Sequence, residues 1–429
     1  MKFKIYSVVA ILLLAAGTVL PNGLSLNSIG PKGFGMGGAF VGLANDYTAI
    51  YWNPAGLTQM QKNFVGIFAT DVIPMGTYKF KYDPAHINVD AKSKTNHYIS
   101  PNLMGFYHFN FAENVTFGLG VYIPAGIGAE WDGDDLKSLV GGVNKEWMSK
   151  VAVLDISPAV AYKFSDQFSV GLAVNIFYGM FDLKKPAVML PLGVFQFSEN
   201  SKGWGYGVTF GGLFKANEQL SVGFSFRTKT TVKMSGTAKN PGMAAHPNPL
   251  YRLPEESDFD RDVAWPLWIA GGIAYRPMDK LVITFDVQFS QWSQSENRFT
   301  AKYKDAKWDA ALSSSGDNKF ILRWSDATQV RLGACYSVDE NLDLRAGFYT
   351  DPAPAPLETY NILFPSISYK GIALGAGYKI SSFVFDLGVE YLFGKDREVQ
   401  FLYPPIDKRM AGTHGMDIPA WSLGVGYEF

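Results

Sequence analysis

From about residue 60 to the C-terminus, apolar and polar residues alternate with a period of two. The alternation is clearest over residues 168–176, 281–290, 342–348, 383–391 and 421–429, where large apolar side chains are interleaved with small or polar ones. Because successive side chains of a β-strand point to opposite faces, the pattern predicts strands with one apolar face. Such a face suits either the core of a soluble β-sandwich or the lipid-facing surface of a membrane barrel, so alternation alone leaves both open.

The connections between these strands favour the membrane barrel, because short turns alternate with long loops. The short turns are predicted at 112–114, 165–167, 216–218, 277–280, 338–341 and 380–382, and the long connections near 84–99, 131–150, 186–201, 237–263, 296–319, 352–366 and 395–416. Short periplasmic turns and long extracellular loops are typical of outer-membrane barrels. Six turns and seven loops join 14 strands. We therefore predict an all-β, 14-stranded antiparallel transmembrane β-barrel with both ends in the periplasm.

The first 60 residues lack this alternation and divide into two parts. Residues 1–22 are typical of a signal peptide, since Lys2 and Lys4 precede an apolar stretch that ends in small residues. The alternative, a membrane-anchoring helix, needs about 20 continuous apolar residues, and the stretch is shorter. Residues 23–60 are rich in glycine and carry apolar residues such as Phe40 and Trp52, with a short helix predicted near 39–44. We expect 23–60 to form a hatch, or plug, in the lumen and 61–429 to form the barrel.

Charge and composition argue against several other classes of protein. The formal net charge is −1, so there is no basic surface to neutralise nucleic-acid phosphates. One cysteine, Cys335, permits no disulfide within the chain, and the five histidines show no metal-ligand spacing. No nucleophile with a neighbouring base stands out. We therefore expect no cofactor, no metal site and no enzymatic activity.

Several motifs resemble those of the FadL/TodX family of outer-membrane transporters for long-chain fatty acids and other hydrophobic compounds. The most specific are residues 33–46 (GFGMGGAFVGLAND) and 51–57 (YWNPAGL), and weaker ones are 202–207 (KGWGYG), 324–328 (WSDAT), 344–349 (LRAGFY) and 374–378 (LGAGY). The resemblance implies a 14-stranded barrel, in agreement with the count from the loops, with the N-terminal segment as its hatch. It also implies passive, ligand-gated uptake of hydrophobic molecules.

Two motifs acquire functional interpretations from this resemblance. Asn53, Pro54 and Ala55 are a common turn sequence in isolation, and the resemblance places them in the gate of the hatch. In the third strand, Pro124, Gly126 and Gly128 interrupt the alternation, and Pro cannot donate to a sheet ladder. The interruption is either a frayed end of the strand or, as the resemblance implies, a kink that opens a lateral hole in the wall.

The resemblance also suggests where cargo binds. Apolar residues on two extracellular loops either pack on each other or form an outer groove that captures substrate: Trp131, Leu136, Leu139, Val140, Trp147, Met148, Leu190, Leu192 and Phe195. Alternation places mixed charges inside the barrel, among them Asp286 and Glu390. It also places Arg227, Arg331 and Arg345 there, and each of these is a candidate partner for a carboxylate. The fifth strand lacks the basic residue of fatty-acid members, since Lys184 and Lys185 come only later. Fatty acids and uncharged hydrocarbons therefore both remain candidates.

Two other functions compete with hydrophobic uptake. A general porin would have an open, charged lumen without a hatch, and a surface adhesin or receptor would act through its loops. For the transporter we expect a monomer in the bacterial outer membrane, surrounded by lipid and lipopolysaccharide. Phe429, at the end of an aromatic strand, resembles the signal read by the barrel assembly machinery, which we expect as a partner during biogenesis.

Overall fold

The structure is a computed structural model that describes residues 23, 25–109, 112–294, 299–401 and 410–429, without the side chain of Ile127. The predicted signal peptide, 1–22, lies outside the described residues. The described residues form 20 strands. In chain order these are β1 (Phe64–Val72), β2 (Met75–Tyr82), β3 (Ile87–Lys92), β4 (Tyr98–His108), β5 (Val115–Trp131), β6 (Trp147–Lys163), β7 (Phe168–Met189), β8 (Gly193–Lys215), β9 (Leu220–Arg227), β10 (Thr230–Lys239), β11 (Glu256–Trp265), β12 (Trp268–Met278), β13 (Leu281–Ser290), β14 (Lys302–Tyr303), β15 (Ala327–Ser337), β16 (Leu342–Asp351), β17 (Tyr369–Ile380), β18 (Phe383–Gly394), β19 (Arg397–Val399) and β20 (Gly412–Glu428).

Helices are short and lie in the connections and near the N-terminus. The α-helices are α1 (Pro31–Gly35), α2 (Ala49–Trp52), α3 (Gly133–Leu136) and α4 (Ala306–Ser315). The 3₁₀ turns are Pro54–Gln59, Asp83–Ala85, Lys137–Val140, Pro241–Met243, Pro249–Tyr251, Trp292–Gln294 and Leu357–Thr359. Within the described part of the chain, no helix has the length and apolarity needed to cross a membrane.

The strands build a closed antiparallel barrel of 14 barrel strands, which confirms the predicted fold class. Four of these are each made of two consecutive segments (β1 with β2, β3 with β4, β9 with β10, and β11 with β12), because both segments border the same neighbouring barrel strands. The short strands β14 and β19 pair only with β11 and β20, respectively, and add no further barrel strand. Pairing of β1 with β20, from Phe64 opposite Glu428 to Val72 opposite Ala420, closes the barrel.

The connections follow the predicted alternation of short and long, with two exceptions. The long connection predicted at 84–99 is wrong over 87–92, where β3 pairs with β2 and leaves a turn of only 83–86. The six short turns fall where the sequence places them, for example at 279–280 between β12 and β13 and at 381–382 between β17 and β18. The predicted long connection at 186–201 is wrong: β7 and β8 pair as far as Met189 opposite Gly193, which leaves a turn of only 190–192. Residues 197–202 alternate in burial and the pairing continues beyond them to the turn, so this hairpin extends the wall outward instead of forming a loop.

The alternation predicted from the sequence separates an outer and an inner face. Large apolar side chains point outward, for example Ile67, Leu172 and Leu423, at 56, 42 and 54% exposure. Their polar or small neighbours are buried inside the barrel, as the sequence predicted for Asp286, Arg331 and Glu390. An apolar exterior and a polar interior are the arrangement expected of a membrane barrel.

Candidate functional site

The segment 25–59, named here the inner segment, lies inside the barrel. Met36, Phe40, Val41 and Ile50 are less than 2% exposed. Its α1 packs against β16, β17, β18 and β20, while its 3₁₀ turn packs against β5, β6, β7 and β8. Contacts to strands on opposite sides place the segment across the bore. The helix predicted near 39–44 is wrong, because α1 and α2 flank that stretch and 41–43 form turns.

Glycines on the inner face of the wall allow this segment to lie against the strand backbones. In the described residues, eleven of the fourteen barrel strands carry a glycine at which an added Cβ would meet the inner segment closer than ordinary van der Waals contact. They are Gly66, Gly118, Gly171, Gly211, Gly223, Gly272, Gly333, Gly347, Gly375, Gly388 and Gly424. At Gly272, for instance, the Cβ would lie 2.5 Å from the nitrogen of Gly42. The glycine content of the strands therefore reflects close approach of the inner segment.

Hydrogen bonds from the wall fix the middle of the inner segment. The backbone N–H groups of Phe40 and Val41 both donate to Asp286 Oδ2, each at 2.8 Å. Gln288 Nε2 donates to the carbonyl of Gly38 at 3.0 Å, and Arg331 donates to that of Gly37 at 2.8 Å. These three side chains come from β13 and β15 and are buried. They supply partners for backbone groups that have no regular secondary structure to satisfy them.

Replacing Asp286 by alanine should loosen this attachment. The amides of Phe40 and Val41 would lose their acceptor, at a cost of about 1–3 kcal/mol for each buried group left unpaired. Their hydrogen exchange, measured by mass spectrometry on the folded barrel, should accelerate roughly 5- to 150-fold. Asp339→Ala is the matched control, since Asp339 also accepts from two backbone amides but lies in a short turn far from the inner segment. Unchanged exchange at residues 40–41 in Asp286→Ala would contradict the proposed anchoring.

The predicted gate residues connect the middle of the inner segment with the wall. Asn53 Nδ2 donates to the carbonyl of Val41 and to that of Gly212 in β8, both at 3.0 Å. Its Oδ1 accepts from Ala55 N at 3.2 Å and caps the turn that starts at Pro54. A Cβ on Gly171 or Gly211 would collide with this turn. Asn53, Pro54 and Ala55 thus form a compact unit at the point where the inner segment meets β7 and β8.

The wall has a gap between β4 and β5 at the site predicted for the lateral opening. The two strands pair from His108 opposite Thr116 only as far as Leu103 opposite Val121. Beyond that point β4 pairs with β1 alone and β5 pairs with β6, with a register shift between Tyr122 and Ala125. Pro124 has no N–H to offer a neighbouring strand, and its carbonyl accepts from Leu26 N of the inner segment at 3.0 Å.

The gap is a window with defined edges. At one edge Ile123 N donates to Asn102 Oδ1 at 2.9 Å, and at the other Lys94 N donates to the carbonyl of Glu130 at 2.7 Å. Tyr98 lies against Gly128, where a Cβ would collide with its ring. At Gly126 the closest atom to an added Cβ would be the Val151 carbonyl at 3.5 Å, so this position borders open space.

A cavity of about 350 Å³ connects this window with the lumen. Its inner end is lined by Ser28 and Phe34 of the inner segment and by Glu390 of β18. Its outer end is lined by Ile99 and Met180, which are 59 and 43% exposed on the outer face of the barrel. Because inward- and outward-facing side chains line the same cavity, it passes through the wall. Its volume lies in the range of pockets that hold small organic ligands.

The predicted capture residues fall into two groups. Trp131 and Leu136 are buried in a cluster of apolar side chains that fills the extracellular end of the barrel, and Leu139 and Trp147 pack against it. Val140 is also buried. Met148 is half-buried. On the β7–β8 hairpin, Leu190 is 85% exposed, while Leu192 and Phe195 are partly exposed. Most of the apolar residues predicted on the first loop, 131–150, therefore pack on other apolar side chains. Exposed apolar surface remains at the β7–β8 hairpin.

The three arginines lie inside the barrel but already have protein partners. Arg345 forms ion pairs with Asp386 at 2.5 Å and Asp343 at 3.5 Å. Arg331 donates to the Gly37 carbonyl and to Gln329, and lies over the ring of Tyr349.

Arg227 is the candidate that borders a second, smaller cavity. It donates to the Tyr51 carbonyl at 2.8 Å and to Thr209 Oγ1 at 3.2 Å. Its guanidinium lies over the rings of Tyr51 and Trp268. The second cavity beside it is bounded by Pro124, Phe177 and Trp265. None of the three arginines is among the described residues that line the larger cavity.

Two features of the site go beyond the residues singled out from the sequence. Alternation placed Asp286 and Glu390 in the lumen without a role, and nothing indicated that Asp286 holds the inner segment. In the sequence, Ile99 and Met180 resemble any other lipid-facing residue. Only the structure shows that they line the outer mouth of the cavity. Among the described residues, no group of three or more His, Cys, Asp or Glu is arranged to hold a metal ion.

Comparison with known proteins covers most of the chain. The family described as outer membrane protein transport protein (OMPP1/FadL/TodX) matches residues 12–429. The long-chain fatty acid transport protein of Escherichia coli K12 is 21% identical over 453 residues, covering 95% of this chain and 94% of that protein. A putative outer membrane protein of Neisseria meningitidis serogroup B is 25% identical, covering 87% and 84%. The match to outer membrane protein P1 of Haemophilus influenzae, at 23% identity, spans 64% of that relative's length.

Solved structures share the fold at low sequence identity. A FadL homologue of Pseudomonas aeruginosa aligns with a TM-score of 0.79 at 17% identity, covering 95% of this chain and 100% of that one. The toluene transporter TodX of Pseudomonas putida aligns with a TM-score of 0.69 at 16% identity, covering 96% and 99%. The family match, the 14-stranded barrel and the similar proteins all agree with the family that the sequence motifs resemble. The chain therefore belongs to the OMPP1/FadL/TodX family of outer-membrane transport channels for fatty acids and other hydrophobic compounds, which is not a family of enzymes.

Proposed function

We propose that this protein takes up hydrophobic molecules passively across the outer membrane and releases them sideways through the window between β4 and β5. The observation that carries the proposal is the cavity of about 350 Å³ that joins the lumen to the outer face of the wall. An apolar molecule that leaves through the wall enters lipid without crossing water, which avoids the free-energy cost of exposing its surface. The inner segment lies across the direct route to the periplasm.

The height of the window supports release near the outer boundary of the hydrocarbon layer. Ala125 of β5 pairs with Val153, which in turn pairs with Gly179 of β7. The adjacent residue Tyr178 packs on the outer face against Trp204, with ring centroids 4.8 Å apart. Outward Tyr and Trp side chains are enriched at membrane–water interfaces. Cargo that emerges beside Gly126 would therefore reach the lipid at the level of this aromatic belt.

Capture and gating complete the proposed route. The exposed apolar surface at Leu190, Leu192 and Phe195 would make the first contact with cargo, and the buried residues of the 132–146 connection would support it. Asn53, Pro54 and Ala55 would act as the gate, since they form one compact unit with the turn that Asn53 caps. A shift of this unit when cargo fills the cavity would couple binding to opening. The assembly machinery and the surrounding lipid and lipopolysaccharide are proposed partners of a monomeric barrel.

The substrate is proposed as a class only. One relative is a long-chain fatty acid transport protein and one structural neighbour is a toluene transporter. Both aliphatic chains and aromatic hydrocarbons therefore fit the proposal. The shared property is a molecule that prefers lipid to water, and the lateral route requires no more than that.

Uptake of matched ten-carbon compounds tests the proposal. Cells that express the protein in a host without its own fatty-acid transporter should accumulate at least one of radiolabelled decane, 1-decanol and decanoate faster than cells with an empty vector. Purified protein in planar bilayers should show little ion conductance, because the inner segment closes the bore. Open, porin-like conductance without accumulation of any of the three would favour a general porin. Normal uptake accompanied by loss of cell or phage attachment on loop deletion would reveal an adhesin role instead.

A further inference from the structure

The inner end of the wall cavity is acidic. Asp351 of β16 and Glu390 of β18 line it, and they are only 4 and 7% exposed. Lys150 is the one basic side chain among the described lining residues. It is exposed at the outer end of the cavity, near Asp182. A charge buried in a region of low dielectric acts strongly on a ligand group placed beside it. A carboxylate cargo would thus meet two carboxyl groups at the inner end.

The arginines near this acidic end are held by protein groups, and Arg331 also lies close enough to Glu390 for their charges to interact. Arg345 is paired with Asp386 and Asp343. The guanidinium of Arg331 is held by the Gly37 carbonyl and Gln329. Arg227 borders the separate small cavity. No arginine therefore lines the described part of the larger cavity where the head group of a fatty acid would sit.

Polar atoms at this end still lack hydrogen-bond partners. Glu390 Oε2, Ser28 Oγ and the hydroxyl of Tyr349, which lies beside Glu390, are buried without a hydrogen-bond partner within 3.5 Å among the described residues. Glu390 and Ser28 line the cavity. Buried polar groups in native proteins are almost always paired, so an unpaired acceptor beside a cavity indicates a group that a ligand can satisfy. A hydroxyl can donate to a carboxyl group in either protonation state of that group.

We infer that the cavity selects uncharged apolar molecules that carry a hydrogen-bond donor, such as long-chain alcohols or alkylphenols, with Glu390 as the residue that receives the donor. The apolar part of such a molecule would extend past Phe34 and Leu392 toward the window at Gly126. Fatty-acid carboxylates would bind more weakly. This inference rests on the proposed uptake function and adds the chemical class of its cargo.

Competition between three ligands of equal chain length tests this selection. Purified wild-type protein is equilibrated with 1-decanol, decanoate and decane, and the bound fraction of each is measured by native mass spectrometry. We expect 1-decanol to bind at least about tenfold more tightly than decanoate, because only the alcohol offers a donor without adding a negative charge. Decane should fall between them or near decanoate.

Variants at Glu390 assign the effect to this residue. Glu390→Leu should reduce 1-decanol binding to the level of decane, since the acceptor is gone and the volume is kept. Glu390→Gln removes the charge but keeps an acceptor, so 1-decanol binding should persist while decanoate binding rises by about tenfold. Glu113→Leu, on an exposed short turn, is the control and should leave the ranking unchanged. Folding of each variant is checked by the heat-dependent shift of the barrel in gel electrophoresis.

The outcomes separate this inference from the function on which it rests. Tight binding of decanoate by the wild type, equal to or above that of 1-decanol, would overturn the inference and leave hydrophobic uptake intact. An unchanged ranking in a folded Glu390→Leu variant would also overturn it. Absence of binding for all three ligands, together with absence of uptake in cells, would remove the proposed function as well.

Discussion

Replacing Gly272 with leucine is expected to displace the inner segment and to open the bore of the barrel to ions. At this position an added Cβ would lie 2.5 Å from the backbone nitrogen of Gly42 and would also collide with Asp286. Gly42 contributes backbone atoms and the Asp286 carboxylate is held by the amides of Phe40 and Val41, so the segment itself must move. Overpacking of this kind costs about 1–3 kcal/mol or more, which would raise the population of displaced states roughly 5- to 150-fold.

Single-channel recording in planar bilayers measures this effect directly. Gly272→Leu should show frequent resolved openings, whereas the wild type should remain near its closed baseline. The adjacent residue provides a matched control, because Gly271 points outward and an added Cβ would have no neighbour within 4 Å. Gly271→Leu should therefore behave like the wild type. A folded Gly272→Leu barrel that stays closed would show that the inner segment does not depend on this close approach.

Filling the window should block uptake while leaving the barrel intact. The nearest atom to a Cβ on Gly126 would be the Val151 carbonyl at 3.5 Å, so the backbone accepts a side chain there. A tryptophan at this position would occupy the space between the cavity and the outer face. We expect Gly126→Trp to reduce uptake of the ten-carbon compounds at least about tenfold, because close-packed protein leaves no path for an alkyl chain.

The control for this variant is the same substitution on the lipid-facing surface. Gly271→Trp adds equal bulk away from the window and should leave uptake unchanged. Gly126→Ala should also retain uptake, since a methyl group fills little of the space. If Gly126→Trp transports as fast as the wild type, cargo does not leave beside β5, and a route through the bore would be the remaining explanation.

The strand count could be predicted from the sequence because local features determine it. The residues that form a turn or loop are adjacent in the sequence, so these connections can be recognised locally. The period-two alternation then indicates which side chains face inward. The exceptions at 84–99 and 186–201 arose because polar residues in the first, and prolines and a glycine in the second, resemble a loop when the partner strand is unknown. The helix expected near 39–44 failed for a related reason. Gly37 and Gly38 adopt positive φ, and turns held by wall contacts replace the helix.

An irregularity in β5 was predictable, since Pro124, Gly126 and Gly128 break the strand pattern in the sequence, but the sequence left open whether the strand frays or the wall opens there. The groups around it were not predictable, because they come from distant parts of the chain. Asp286 holds residues that precede it by about 245 positions, and no local signal connects them. Likewise, Asp351 and Glu390 lie at one end of the cavity only because the barrel brings their strands together. Inward orientation was predicted for the three arginines, whereas their ion pairs and carbonyl partners required the structure.

Photo-cross-linking of cargo tests lateral release most directly. A diazirine-bearing analogue of 1-decanol is bound to the protein in lipid nanodiscs and activated by light, and the modified residues are identified by mass spectrometry. Lateral release predicts adducts on the cavity lining, such as Leu392 and Ile367, and on Ile99 and Met180 at the outer mouth. Adducts confined to the inner segment near Leu57 and to the short periplasmic turns would instead mark a path down the bore and would contradict the proposed exit through the wall.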